Sequence, residues 1–259
     1  MARRVSRRKE PSREFYTLKE QTKVDTGIFD EKTMIFLSKF FNKGVIERLA
    51  APIARGKESD IYIATPGPEV KRFEYVALKF FRVETSSFFK MEDYITGDPR
   101  FSKKITGGRE KFGIIKMWCK KEFGNLELAN RAGVSAPVPI MFNGTILAMS
   151  FIGDGGTPAK RLKDVELENP EKTLKSVLDQ IRKLYRVKLV HGDVSEYNIL
   201  MKDGEPYFID FGQAVLIGHP RASDFLKRDV YNILSYFEKR YGVQRDPGET
   251  LKWITGHAL

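Results

Sequence analysis

The chain has 259 residues, 41% of them hydrophobic and 31% charged, with a formal net charge of +11. That length and composition suffice for a sizeable buried core and exclude wholly disordered, collagen-like and coiled-coil classes. No run approaches the ~18 apolar residues of a membrane span, no apolar signal segment follows the basic start, and Cys119 is the lone cysteine, so the expectation is a reducing, cytoplasmic compartment with no membrane and no intramolecular disulfide.

In chain order, residues 1–13 hold Arg3, Arg4, Arg7, Arg8, Lys9 and Arg13 against Glu10 alone. Such a tail either attracts polyanions such as RNA phosphates or stays solvated. Asp30 is placed to cap a helix carrying Met34, Phe36, Leu37, Phe40 and Phe41, with Gly44 to end it. Strands are predicted over 45–53, 61–63 and 75–83, the second closed by Thr65-Pro66-Gly67-Pro68. Residues 84–110 are polar, contain Gly97, Gly107 and Gly108, and read as one long loop. A helix follows from near 114 to 131, stopped by Gly133, then a buried strand over 146–152 and a flexible Gly153-Asp154-Gly155-Gly156 hinge. Asn169 and Pro170 open a helix whose apolar face is Leu174, Val177, Leu178, Ile181, Leu184 and Tyr185. Short strands are expected around 189–190 and 207–209. The last helix starts near Ala222 with Val230, Ile233, Leu234, Phe237 and Tyr241 along its core stripe. There is no internal repeat.

The chemistry concentrates at 190–212. Asp193 is followed by Asn198 five residues later and by Asp210 in Ile209-Asp210-Phe211-Gly212, a phosphoryl-transfer constellation. Asp193 can accept the proton of an attacking hydroxyl. Asn198 and Asp210 offer the hard oxygens that Mg²⁺ prefers, and the ion in turn neutralises charge on phosphates. Two polar turns beside a hairpin are the plain alternative, but they do not account for both submotifs at this spacing. Lys79, in Val76-Ala77-Leu78-Lys79, matches the strand lysine that pairs nucleotide phosphates. It needs a carboxylate from the following helix, for which Glu122 is the choice and Glu127 the competitor. The turn Gly56-Lys57-Glu58-Ser59-Asp60 has a single glycine, yet its amides and Ser59 can donate to phosphate oxygens. His191 reads as a structural hydrogen-bonding residue, and His219 and His257 lack metal-ligand spacing.

Four segments resemble the RIO family of atypical serine protein kinases, in particular its first-numbered branch. They are Gly56-Lys57-Glu58-Ser59-Asp60-Ile61-Tyr62, Lys121-Glu122-Phe123-Gly124-Asn125-Leu126, the loop Leu189-Val190-His191-Gly192-Asp193-Val194-Ser195-Glu196-Tyr197-Asn198, and residues 219–229 from His219-Pro220 to Lys227-Arg228-Asp229. The phosphate loop departs from the family's Ser-Thr-Gly-Lys-Glu-Ala-Asn pattern in having Ala54-Arg55 before Gly56 and Ser59-Asp60 at its end.

The resemblance implies an α+β, two-lobed protein-kinase-like fold with a trimmed C-terminal lobe. It places a basic tail and helical extension over 1–49 and the kinase domain over 50–259, with an N-lobe at 50–152 and a C-lobe at 153–259. It implies a minimal archaeal-type member that uses ATP and Mg²⁺, with Mn²⁺ able to substitute. The adenine is expected against the backbone between Met149 and Ile152, and Asp210 can take up a phosphoryl group as an acyl phosphate. It further implies serine/threonine kinase or ATPase activity, self-phosphorylation with Thr106 or Ser102 as acceptor, and Asp229 as a buried support of the loop around Asp193. The expected partner is the small ribosomal subunit precursor or its rRNA, met by a monomer. The competing reading is another compact kinase-like phosphotransferase, either the Bud-type kinase of the KEOPS complex or a small-molecule kinase.

Overall fold

The computed structural model describes residues 29–82, 91, 94–101 and 111–256. The basic tail and the expected acceptors Ser102 and Thr106 lie outside the described residues.

The first described helix, α1 (Glu31–Asn42), begins where Asp30 accepts from the Thr33 amide at 2.7 Å. Its buried stripe of Met34, Leu37 and Phe40 packs on one face of a five-stranded antiparallel sheet. The strands are β1 (Ile46–Arg55), β2 (Ser59–Pro66), β3 (Val76–Phe81), β4 (Pro139–Asn143) and β5 (Ile146–Ser150), in spatial order β1-β2-β3-β5-β4. The helix from Asp30 and the start of β1 therefore share the small lobe's core with Tyr62, Val76, Leu78, Phe80, Ile146 and Ala148.

All six residues of β3 are buried, and side chains alternate between sheet faces. Val76, Leu78 and Phe80 enter the core beneath α1. Ala77 and Phe81 join a second, larger core that runs through α2 (Lys111–Arg131) into the large lobe. Lys79 has the parity of Ala77 and Phe81, so its ammonium faces the second core rather than solvent.

Past β5, Gly153–Asp154 (β6) and Thr157–Pro158 (β7) pair as a small hairpin turning at Gly155 and Gly156, both with positive φ. The residues read as a hinge, 153–156, therefore lie in the first strand and turn of this hairpin. The large lobe holds β8 (Lys160–Arg161), α3 (Pro170–Arg186), β9 (Leu189–Val190), β10 (Ile199–Lys202), β11 (Glu205–Phe208), β12 (Val215–Leu216), α4 (Ala222–Tyr241) and α5 (Pro247–Thr255). β9 pairs with β12, and β10 pairs with β8 and β11, so residues 191–198 and 209–214 emerge as neighbouring loops. α3 buries the expected Leu174, Val177, Leu178, Ile181 and Leu184. Fully burying a side chain of this size stabilises the fold by about 1.5–3 kcal/mol.

One expectation is corrected. The stretch read as a polar loop over 84–110 contains a docked segment. Met91 and Ile95 are buried in the large core, Asp98 is buried, and Pro99–Phe101 is a 3₁₀ turn. Met91 and Ile95 are buried by residues distant in sequence, so no periodic pattern announces them.

Candidate active site

Lys79 lies at the centre of the site. Its Nζ donates to both carboxylate oxygens of Glu122 at 2.8 Å and to Asp210 Oδ1 at 2.9 Å. Burial alone would lower the pKa of this lysine, but Asp210 and Glu122 outweigh it and hold the ammonium above its ordinary value. Burial raises the Glu122 carboxyl and Lys79 opposes that shift, while at Asp210 the pull of Lys79 overcomes burial and lowers the carboxyl. Glu127, the competing carboxylate, is exposed, one turn from the Arg131 side chain that donates to its carbonyl.

Asp210 takes a left-handed conformation, φ 65° and ψ 68°, which for a non-glycine residue stores on the order of 1–3 kcal/mol. This turn aims the carboxylate at Lys79 while leaving the side chain 47% exposed. Gly212 follows because a Cβ there would lie 2.7 Å from the Trp118 indole nitrogen, so the ring packs directly on backbone.

Across from this triad, Asn198 Nδ2 donates to the Asp193 carbonyl at 2.9 Å and to Asp193 Oδ2 at 2.8 Å. Gln213, unassigned by the sequence reading, reaches the same oxygen at 3.4 Å. Burial, then the charge of Asp210, pushes the Asp193 carboxyl up to about 6, against Arg228 and Asn198. A carboxylate tuned there is suited to accept a proton near neutral pH.

The loop carrying Asp193 is held from below. Asp229 is buried and accepts from the Gly192 amide at 2.7 Å and the Val194 amide at 2.9 Å, and Arg228 donates to the Gly192 carbonyl. His191 hydrogen-bonds Ile209 O at 3.2 Å through Nε2. Burial lowers its pKa to about 4, so it is neutral at pH 7 and takes the structural place expected of it.

The remaining candidates lie on the strands and turns of the small lobe and just past β5. Gly56–Ser59 forms the turn between β1 and β2, closed by a Gly56 amide to Ser59 carbonyl bond of 2.9 Å, and Glu58 lies close enough to raise Asp193 slightly. Lys57 is exposed. Met149, on β5 opposite Ala77, is buried, and the Ile152 carbonyl accepts from the Ala159 amide at 3.1 Å. Among the described residues no cluster of three or more His, Cys, Asp or Glu side chains could hold a metal ion by itself.

The RIO domain model matches residues 60–249, nearly three quarters of the chain. The RIO-type serine/threonine-protein kinase Rio1 of Haloferax volcanii is 38% identical over 98% of this chain and 87% of its own, and that of Thermoplasma acidophilum is 41% identical over 70% of this chain and 94% of its own. The chain belongs to the RIO family of serine/threonine-protein kinases. The human serine/threonine-protein kinase RIO1 is 31% identical over 98% of this chain but only 44% of its own. In structure, the Rio2 kinase of Chaetomium thermophilum superposes with a TM-score of 0.68 at 23% identity, over 87% of this chain and 66% of its own. This RIO-family chain therefore has the kinase-like fold, and the family match sets aside the Bud-type and small-molecule alternatives.

Two further residues hold this site. Lys121 donates to Gly212 O at 2.8 Å and Ala214 O at 2.5 Å. Asn125 Nδ2 donates to Phe211 O and Ala214 O, both at 2.8 Å. They sit one turn apart on α2, flanking Glu122. The i, i+4 spacing of two polar residues on a helix's buried face was the available signal.

Proposed function

We propose that this RIO-family kinase binds ATP with Mg²⁺, or Mn²⁺ in its place, between its lobes and transfers the γ-phosphate to serine or threonine hydroxyls, its own included. We further propose that it hydrolyses ATP, and that as a cytoplasmic monomer it acts on the small ribosomal subunit precursor or its rRNA. One observation carries the chemistry: Lys79 is ion-paired to Glu122 and Asp210 at once, with Asp193 facing them on the adjoining loop. Lys79 holds the ATP phosphates, Glu122 fixes Lys79, and the turn from Gly56 through Lys57 and Glu58 to Ser59 covers the phosphates. The backbone between Met149 and Ile152 receives the adenine. The half-exposed Asp210 carboxylate and the Asn198 amide oxygen fit an ion that takes few protein ligands and completes its shell with phosphate and water. Mg²⁺ bound there neutralises phosphate charge, and Asp193 accepts the proton of the incoming hydroxyl.

Asp210 has a second assignment. Its carboxylate oxygen attacks the γ-phosphorus as the bond to the bridging oxygen breaks and ADP leaves, and water later releases phosphate. The Rio2 kinase of Chaetomium thermophilum has been crystallised as an ADP/Mg²⁺-phosphoaspartate complex, which supports this reading. The basic tail of residues 1–13 suits an RNA-rich partner.

The test is incubation with γ-labelled ATP and Mg²⁺. Label on serine or threonine, plus alkali-labile label lost in Asp210→Asn, is the expected result. Asp193→Asn should keep ATP affinity while transfer falls about 10²–10⁴-fold. Equal loss of nucleotide affinity in both variants would overturn the division of roles.

A further inference from the structure

The docked segment 94–101 is linked to both active-site loops through intermediates, Asn125 on α2 and Arg228 on α4. Arg100 is its hub. The guanidinium clasps the buried Asp98 carboxylate through Nε at 2.9 Å and Nη2 at 2.6 Å, and its Nη1 donates to Asn125 Oδ1 at 2.8 Å. That last bond fixes which way the Asn125 amide faces. With the oxygen taken by Arg100, the NH₂ group must point at Phe211 O and Ala214 O, where it is found. Lys121 caps Gly212 O and Ala214 O beside it. Three carbonyls of the 210–214 loop are thus held from α2.

The segment is itself seated on the large lobe. His219 Nδ1 accepts from the Arg221 amide at 3.2 Å, so Nε2 carries the hydrogen and donates to Thr96 O at 3.2 Å. Gly97 has φ 96° and lies so near Pro220 that a Cβ would stand 3.0 Å from the ring. Tyr94 stacks on Phe225 at 5.0 Å between centroids and its hydroxyl accepts from Arg228 at 3.4 Å, the same arginine that donates to Gly192 O.

We propose that Arg100, Asn125 and Lys121 are positioning residues, through which docking of segment 94–101 sets the backbone of the 210–214 loop and hence the direction of the Asp210 carboxylate. The bearing on metal use rests on the function proposed above. The bearing on loop geometry does not. None of the three touches the expected substrate atoms. They act through Asp210.

The test uses the full chain with Arg100→Ala, Asn125→Asp and both together. Arg100→Ala strands the buried Asp98 carboxylate, so Arg100→Ala with Asp98→Asn is measured beside it to separate that cost from loss of the Asn125 bond. Asn125→Asp keeps an acceptor for Arg100 but loses both donors to the carbonyls. The first readout is amide hydrogen exchange with no nucleotide present. Each single variant should speed exchange of the 211–214 amides about tenfold and leave the Gly192 and Val194 amides unchanged. The second is the Mg²⁺ concentration for half-maximal phosphoryl transfer. It should rise about tenfold in each, with the double variant no worse than Asn125→Asp, because both act on one relay. Unchanged exchange at 211–214 in Arg100→Ala, or additive effects in the double variant, overturns the proposal. Should the wild type transfer no phosphate, the functional reading falls, and the exchange readout still decides the positioning role.

Discussion

The loop carrying Asp193 and the loop carrying Asp210 lie side by side but are braced from different lobes. Residues 191–194 hang from α4 of the large lobe through Asp229 and Arg228. Residues 210–214 hang from β3 and α2 of the small lobe through Lys79, Lys121 and Asn125. The first bracing comes from a helix of the same lobe. The second crosses the cleft, so any shift of α2 is felt at Asp210. The proposed base is thus built into the large lobe, and the proposed metal ligand is set by the interlobe arrangement.

The comparison breaks most visibly at Lys79. Lys79→Met removes the partner of buried Glu122, and an abandoned buried charge costs about 3–5 kcal/mol. We expect a large fall in melting temperature by calorimetry, partly recovered in Lys79→Met with Glu122→Leu. A melting point unchanged in the single variant would show that the cross-cleft pairing contributes nothing to stability.

Asp229→Ala is the corresponding cut on the other side. It strands two buried amides at about 1–3 kcal/mol each, and hydrogen exchange should quicken at Gly192 and Val194 while the 211–214 amides stay protected. Loss of protection in both loops together would erase the distinction.

A pH profile sharpens it. Burial and Asp210 raise the Asp193 carboxyl to about 6, and Arg228 works against them. A base acts when deprotonated, so phosphoryl transfer should rise between pH 5 and 7 with its midpoint near pH 6. Arg228→Gln removes a lowering charge, and the acid limb should move to higher pH. A shift the other way contradicts the assignment.

The smallest effect is expected far from both loops. Asp30→Ala deletes the cap on α1, at a cost of about 0.5–2 kcal/mol in chemical denaturation, with the midpoint of the pH profile unmoved.

Much of this was legible in the sequence because it depends on local pattern. The 3.6-residue recurrence on α3 and α4, the caps at Asp30 and Asn169, the strand around Lys79 and the spacing of Asp193, Asn198 and Asp210 are properties of neighbouring residues, and short-range sterics read them the same way in any context. The choice of Glu122 over Glu127 also follows from helix phase, since Glu122 shares the buried face with Cys119 and Leu126. What only the tertiary structure decided is which polar side chains are buried for a purpose. Lys121 and Asn125 resemble ordinary polar positions on a helix until the carbonyls of a loop some ninety residues later close over them. Asp98 and Arg100 look like surface charges in a polar stretch until they pair with each other against Asn125 of α2. Burial of a charged or amide group is tolerated only where partners from distant segments satisfy it, and the position of distant segments is not written in any local window.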